Sequence, residues 1–266
     1  MTAGTPTFEE QLRLTERGSS FVATIHERWT QGRSTFGGLT AAIGMRALRR
    51  RVPERPLASV DIAFIGPVGA GEVEIEVDVL REGKHVTHAS AQLRSGGAIA
   101  ARAHGVYGAP RESQLAVDPP PPSPTKGPEE GIPLPYLEGM TPTFSQYFDF
   151  RFTEGDIPFT RSQRTTMGGW VRAREPAGRI DGESNLVVMT DAWPSPVVPR
   201  ASRPIPASSV RMNVQALAPV PADFDDYWWF RSELVQAGHG YATLAGMLYA
   251  GQTAVAWTEQ LVAYFD

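Results

Sequence analysis

Along Gly71–Leu80 the side chains alternate with a period of two. Val73, Ile75, Val77 and Val79 fall on one side, and Glu72, Glu74, Glu76 and Asp78 on the other. That pattern predicts an antiparallel strand with one buried and one solvated face. Over Phe36–Leu48 a helical period takes its place, with Leu39, Ile43, Ala47 and Leu48 on one stripe. Gly37-Gly38 opens this helix and Arg49-Arg50-Arg51 closes it, where cations suit the C-terminal end of the dipole. Asn185–Trp193 is a second apolar run, stopped by Pro194 and Pro196. Its β-branched residues leave helix and strand alike in pattern.

A repeat breaks that tie. Residues 55–108 and 207–265 follow one plan: an alternating strand ending at a proline (Pro67, Pro219), then an acidic strand and a glycine turn (Gly83, Gly238). A third strand, a second glycine turn (Gly96-Gly97, Gly251) and a final apolar strand follow in both. The prolines lie 152 positions apart and the glycine turns 155. Such a period marks two copies of one supersecondary unit, each too incomplete to bury a face alone. One helix followed by about four antiparallel strands, twice, predicts a curved sheet wrapped round a helix in each half. The second-copy strand Asp226–Leu234 is aromatic on both faces at Trp228-Trp229, which predicts core packing between the lobes, with an acyl-chain wall as the alternative.

Between the copies runs Pro119-Pro120-Pro121-Pro122-Ser123-Pro124, followed by Pro128, Pro133 and Pro135. Proline cannot donate to a strand ladder and prefers an extended path, so this stretch predicts a surface tether. The expected organisation is an N-terminal lobe at 1–110, a Pro-rich linker at 111–140 and a C-terminal lobe at 141–266, with the two sheets paired edge to edge.

Composition narrows the function. Net charge is −4 and the arginines are scattered, which argues against nucleic acid. No window approaches the length of apolar run that spans a bilayer, and the N-terminus has no basic region before an apolar one. A cytoplasmic location is therefore expected. The absence of cysteine removes a disulfide framework, a thiolate metal site and a cysteine nucleophile. His85 and His88, the one histidine pair at close spacing, point to opposite faces of a strand, so neither a metal nor a cofactor is expected. Gly-x-Ser-x-Gly is absent, which weighs against an α/β-hydrolase.

Several short segments then fall in a familiar order. Phe36-Gly37-Gly38 opens the first helix, and Arg55-Pro56 leads into the strand that ends in Phe64-Ile65-Gly66-Pro67; Val79–Lys84 forms the first glycine turn. In the second copy come Met189-Thr190-Asp191-Ala192-Trp193-Pro194-Ser195, then Ser209–Pro219, then Val255–Gln260. Together these resemble the double hotdog acyl-CoA thioesterases of the TesB type over nearly the whole chain. The resemblance implies an α+β double hotdog fold and hydrolysis of fatty acyl-CoA in lipid metabolism. It implies a water-activating set of Asp191, Ser209 and Gln260, with Phe36, Gly37, Gly38 and Trp193 at the substrate. Ser209 stands where the family more often has threonine. Arg211 and Gln215 replace an acid and a histidine, which bears on the surrounding polar contacts.

The chemistry is self-consistent: a carboxylate takes a proton, while a hydroxyl and a carboxamide hold the water. Backbone N–H groups near Gly37-Gly38 or Glu183-Ser184-Asn185 would receive the thioester oxygen. The phosphates of CoA need cations, and Arg161, Arg164, Arg172 and Arg174 are available. Ser208, next to Ser209, lies on the opposite strand face, and counting back from Pro219 selects Ser209. Two alternatives are a non-catalytic acyl-thioester-binding protein and a hotdog hydratase or dehydratase. The latter needs a histidine near a hotdog helix, and segments 33–48 and 183–193 contain none. The expected partner is an acyl-CoA substrate, with neither nucleic acid nor membrane, and a homodimer of double-lobed chains is a further expectation.

Overall fold

The computed structural model describes residues 6–174, 177–221 and 224–266. The strands are β1 (Thr15–Arg17), β2 (Ser20–Ile25), β3 (Thr30–Gln31), β4 (Ser34–Thr35), β5 (Leu57–Phe64), β6 (Gly71–Glu82), β7 (Val86–Ser95) and β8 (Ala98–Gly108). They continue with β9 (Ile132–Pro133), β10 (Phe148–Glu154), β11 (Thr166–Ala173), β12 (Ala207–Ala216), β13 (Trp228–Gly238), β14 (Tyr241–Ala250) and β15 (Thr253–Tyr264). The helices are α1 (Phe8–Gln11), α2 (Gly37–Arg51) and α3 (Ser184–Ala192).

One antiparallel sheet runs β1-β2-β6-β7-β8-β5-β12-β15-β14-β13-β11-β10-β9. Read outward from the β5–β12 seam, the two halves match: β5-β8-β7-β6-β2-β1 against β12-β15-β14-β13-β11-β10. The seam pairs Arg211 with Ala63 through Gln215 with Ser59, so each lobe's edge is closed by the other. The repeat extends to a local defect. Ser209 pairs with Val262 and Arg211 with Leu261, a bulge at Val210; Leu57 pairs with Tyr107 and Ser59 with Val106, a bulge at Ala58.

The sheet encloses α2 and α3, which pack antiparallel, with the start of α2 against the end of α3 and the end of α2 against the head of α3. Ten of the fifteen α2 residues are buried, because α3 covers the stripe the sheet does not. The packing is close at Gly38, where a β-carbon would meet the Phe36 ring at 2.5 Å and the Val188 backbone at 3.1 Å. At the other end of α2, Arg49 bonds the carbonyls of Val52 (2.8 Å) and Arg55 (2.6 Å) and pairs with Glu183 at the head of α3 (2.6 Å). One cation thus closes the first helix and ties it to the start of the second.

Each lobe has more strands than the four expected: β1 and β2 flank the first set, and β9, β10 and β11 the second. The aromatic pair is also placed differently. Trp228 joins the main core, while Trp229 points to the outer face with Tyr249 and Trp170, not between the lobes. The Pro-rich stretch lies across that patch: Tyr249 Oη donates to the Pro120 carbonyl (3.2 Å) and Trp170 Nε1 to that of Lys126 (2.9 Å). Trp229 is 2 % and Tyr249 4 % exposed, although both face away from the core.

Candidate active site

Asp191 sits in the last turn of α3, where its own helix dipole disfavours a negative charge. The antiparallel packing of the helices reverses that effect. Asp191 lies over the N-terminus of α2, and the Gly38 N–H, one of the donors a helix start leaves unpaired, faces its carboxylate and favours the ionised form. Gly37 leaves the room for this approach, since a β-carbon there would lie 2.6 Å from Asp191 Oδ2.

Two side chains complete the carboxylate's shell. Ser209 Oγ donates to Oδ1 at 2.9 Å and Gln260 Nε2 to the same oxygen at 3.2 Å. The bulge decides which serine does this. Met212 and Val214 on β12 face the core, so strict alternation would turn Ser208 inward and Ser209 out. The extra residue at Val210 flips the parity, leaving Ser208 exposed and Ser209 half-buried against Asp191. Gln260 needs no such device. It lies on the inward face of β15 with Thr258 and Val262, directly opposite Met212 on β12, and its amide also reaches the Met212 sulfur at 3.5 Å.

Burial pushes the Asp191 carboxyl up to about 6, against the pull of the Ser209 hydroxyl and the Gly38 N–H. The group is ionised at neutral pH yet is far more basic than a solvated aspartate, which suits a general base. The same register positions in the first lobe hold Leu57 in place of Ser209 and Gly105 in place of Gln260. Tyr107 fills that space, with the Arg49 guanidinium over its ring at 4.7 Å. The duplicated fold therefore carries this constellation at one of its two equivalent places.

Phe36 and Trp193 flank the site in the chain and are buried: Phe36 stacks on Phe144 with centroids 4.0 Å apart, and Trp193 packs against Phe150 and Phe152. The start of α3 is unsuited to a thioester oxygen: Ser184 N–H donates to Asp181 Oδ1 (3.4 Å) and Asn185 N–H to the Asp181 carbonyl (3.2 Å). It also lies at the opposite end of the nine-residue α3 from Asp191. Among the four arginines, Arg164 pairs with Asp156 (3.7 Å) and Arg172 lies over Tyr227. Arg172 and Arg174 share a surface pocket of about 270 Å³ with Arg179, Asn185 and Met189. Helical geometry puts those last two on the face of α3 turned from Asp191. The Met212 contact and the approach of Gly38 to the carboxylate were not expected. The proximity of Gly38 to Asp191 depends on a packing of α3 against α2 that no local pattern encodes.

A sheet wrapped round a central helix, duplicated and joined at one edge, with a half-buried carboxylate near the seam, defines a double hotdog protein. Residues 25–108 match the acyl-CoA thioesterase N-terminal domain and residues 118–264 the acyl-CoA thioesterase C-terminal domain. The chain belongs to this acyl-CoA thioesterase family and is a thioester hydrolase. Among solved structures, a hotdog-fold protein from Alicyclobacillus acidocaldarius is similar with a TM-score of 0.83 at 21% identity, covering 97% of this chain and 98% of that one. A structure described as a thioesterase II of Thermobifida fusca gives 0.80 at 18% identity over 99% and 100% of the two chains. The acyl-CoA thioesterase II TesB2 of Mycobacterium marinum gives 0.76 at 15% over 97% and 98%. A search of curated proteins gave no significant match. Among the described residues no helix is long and apolar enough to cross a membrane.

Proposed function

We propose that the protein hydrolyses fatty acyl-CoA to the free fatty acid and CoA, with Asp191 as general base and Ser209 and Gln260 positioning one water. The observation that carries this reading is the convergence of the Ser209 hydroxyl and the Gln260 amide on one half-buried carboxylate at the start of α2. Oδ1 is committed to the two side chains, which leaves Oδ2 to take a proton. Ser209 spends its proton on Oδ1, and its lone pairs then accept from the water.

The water oxygen attacks the thioester carbonyl as Asp191 removes its proton. The developing oxyanion takes the N–H that Gly37 leaves unpaired at the start of α2. Collapse of the intermediate breaks the C–S bond, and the proton held on Asp191 returns to the departing thiolate. Water and thioester thus balance to carboxylic acid and thiol with no other reactant. The test is free-thiol release from acyl-CoAs of short to long chain. Turnover on long chains supports the reading, and no turnover on any of them favours an acyl-thioester-binding protein.

A further inference from the structure

We infer that Met212 is a positioning residue for the reaction, fixing which end of the Gln260 carboxamide faces Asp191. The inference rests on the function proposed above. Gln260 Nε2 carries two hydrogens and has two acceptors, Asp191 Oδ1 at 3.2 Å and Met212 Sδ at 3.5 Å. Met212 is fully buried and is the cross-strand partner of Gln260, so the sulfur is held where the amide must pass.

A carboxamide can rotate by half a turn at little steric cost, exchanging its oxygen and nitrogen. A thioether sulfur accepts a hydrogen bond but has none to give. With methionine at 212, a flipped Gln260 sets Oε1 against both a carboxylate and a sulfur lone pair. With leucine there, only the carboxylate opposes the flip, and protonation of Asp191 removes even that. The orientation matters because Nε2 toward Asp191 donates to the carboxylate and keeps the base ionised. The flipped amide instead stabilises the protonated, inactive carboxyl.

Met212→Leu is the test, because it conserves volume in the core. Two readouts are compared in the parent and in a Gln260→Ala background: the titration of Asp191 followed by carboxyl ¹³C NMR, and kcat and KM for a long-chain acyl-CoA. Met212→Leu is expected to move the Asp191 titration to higher pH and to lower kcat about three- to tenfold with KM unchanged. Both effects should vanish when Gln260 is already alanine, where a packing defect would persist. An unmoved titration, or an equal loss in both backgrounds, overturns the inference. A titration that shifts in a protein with no thioesterase activity upholds the role of Met212 and sinks only the proposed reaction.

Discussion

Gly37→Ala separates the geometry of the site from the stability of the fold. The added β-carbon would lie 2.6 Å from Asp191 Oδ2 and 3.3 Å from its carboxyl carbon, about 0.8 Å inside the 3.4 Å at which ordinary contact begins. The third neighbour, the Phe64 ring at 3.4 Å, needs no adjustment. The strain therefore falls on the carboxylate, which is tied through Oδ1 to Ser209 and Gln260 and can yield only by stretching bonds of 2.9 and 3.2 Å. A displacement approaching 1 Å in a reacting group costs on the order of 10²-fold in rate, so kcat should fall roughly 30- to 100-fold. The fold should not suffer. Alanine is a better helix former than glycine by up to about 1 kcal/mol, which offsets the local crowding, and Tm should stay within about 3 °C of the parent. Thiol release and a thermal melt on the same preparation make the measurement. A variant that turns over at the parent rate would refute the placement of Oδ2 against the start of α2, and one that melts more than about 10 °C early would show that the clash is taken up by the fold instead.

The serine pair gives a second prediction. Ser209→Ala should lower kcat on the order of 10- to 100-fold, whereas Ser208→Ala, on the solvent side of the bulge, should match the parent. The acid limb of kcat/KM should lie near pH 6, where Asp191 takes up a proton, with activity lost below it. Stability should run the other way. A carboxyl raised in the folded state binds its proton more tightly there, so the stability it contributes falls as pH rises from about 4 to about 6. The cost of the buried charge above that window is on the order of 3 kcal/mol. Asp191→Asn should accordingly melt no lower than the parent at pH 8, with any advantage gone at pH 4. Replacing Pro119–Pro124 with glycine and serine should uncover Trp229 and Trp170, read as a red shift in tryptophan emission, and leave kcat unchanged.

What could be read from the sequence depended on whether a segment buries one face or two. The paired strand sets and their glycine turns were legible because β6 and its repeat partners are half-buried and alternate. β2 was not, since Ser20–Ile25 is buried on nearly every side and shows no period. β11 was hidden by Gly168-Gly169, which looks like a turn. In the fold it is a strand where Gly169, at φ 155°, lets the Arg151 carbonyl come within 2.0 Å of its absent β-carbon. Counting back from Pro219 selects Ser209, but what turns it toward Asp191 is a bulge at Val210 that leaves no mark in residue type. The acid's stabilisation by α2 is out of reach, because an aspartate at a helix C-terminus reads as unfavourable until the N-terminus of another helix packs beside it.

The central claim is that Asp191 activates the water, and Asp191→Asn tests it most directly. Asparagine keeps the size of the side chain and an oxygen for Ser209, but cannot take a proton. Free-thiol release from a long-chain acyl-CoA at pH 8 should show kcat reduced by a factor on the order of 10²–10⁴, with KM changed much less. An Asp191→Asn enzyme that releases thiol at the parent rate would contradict the account.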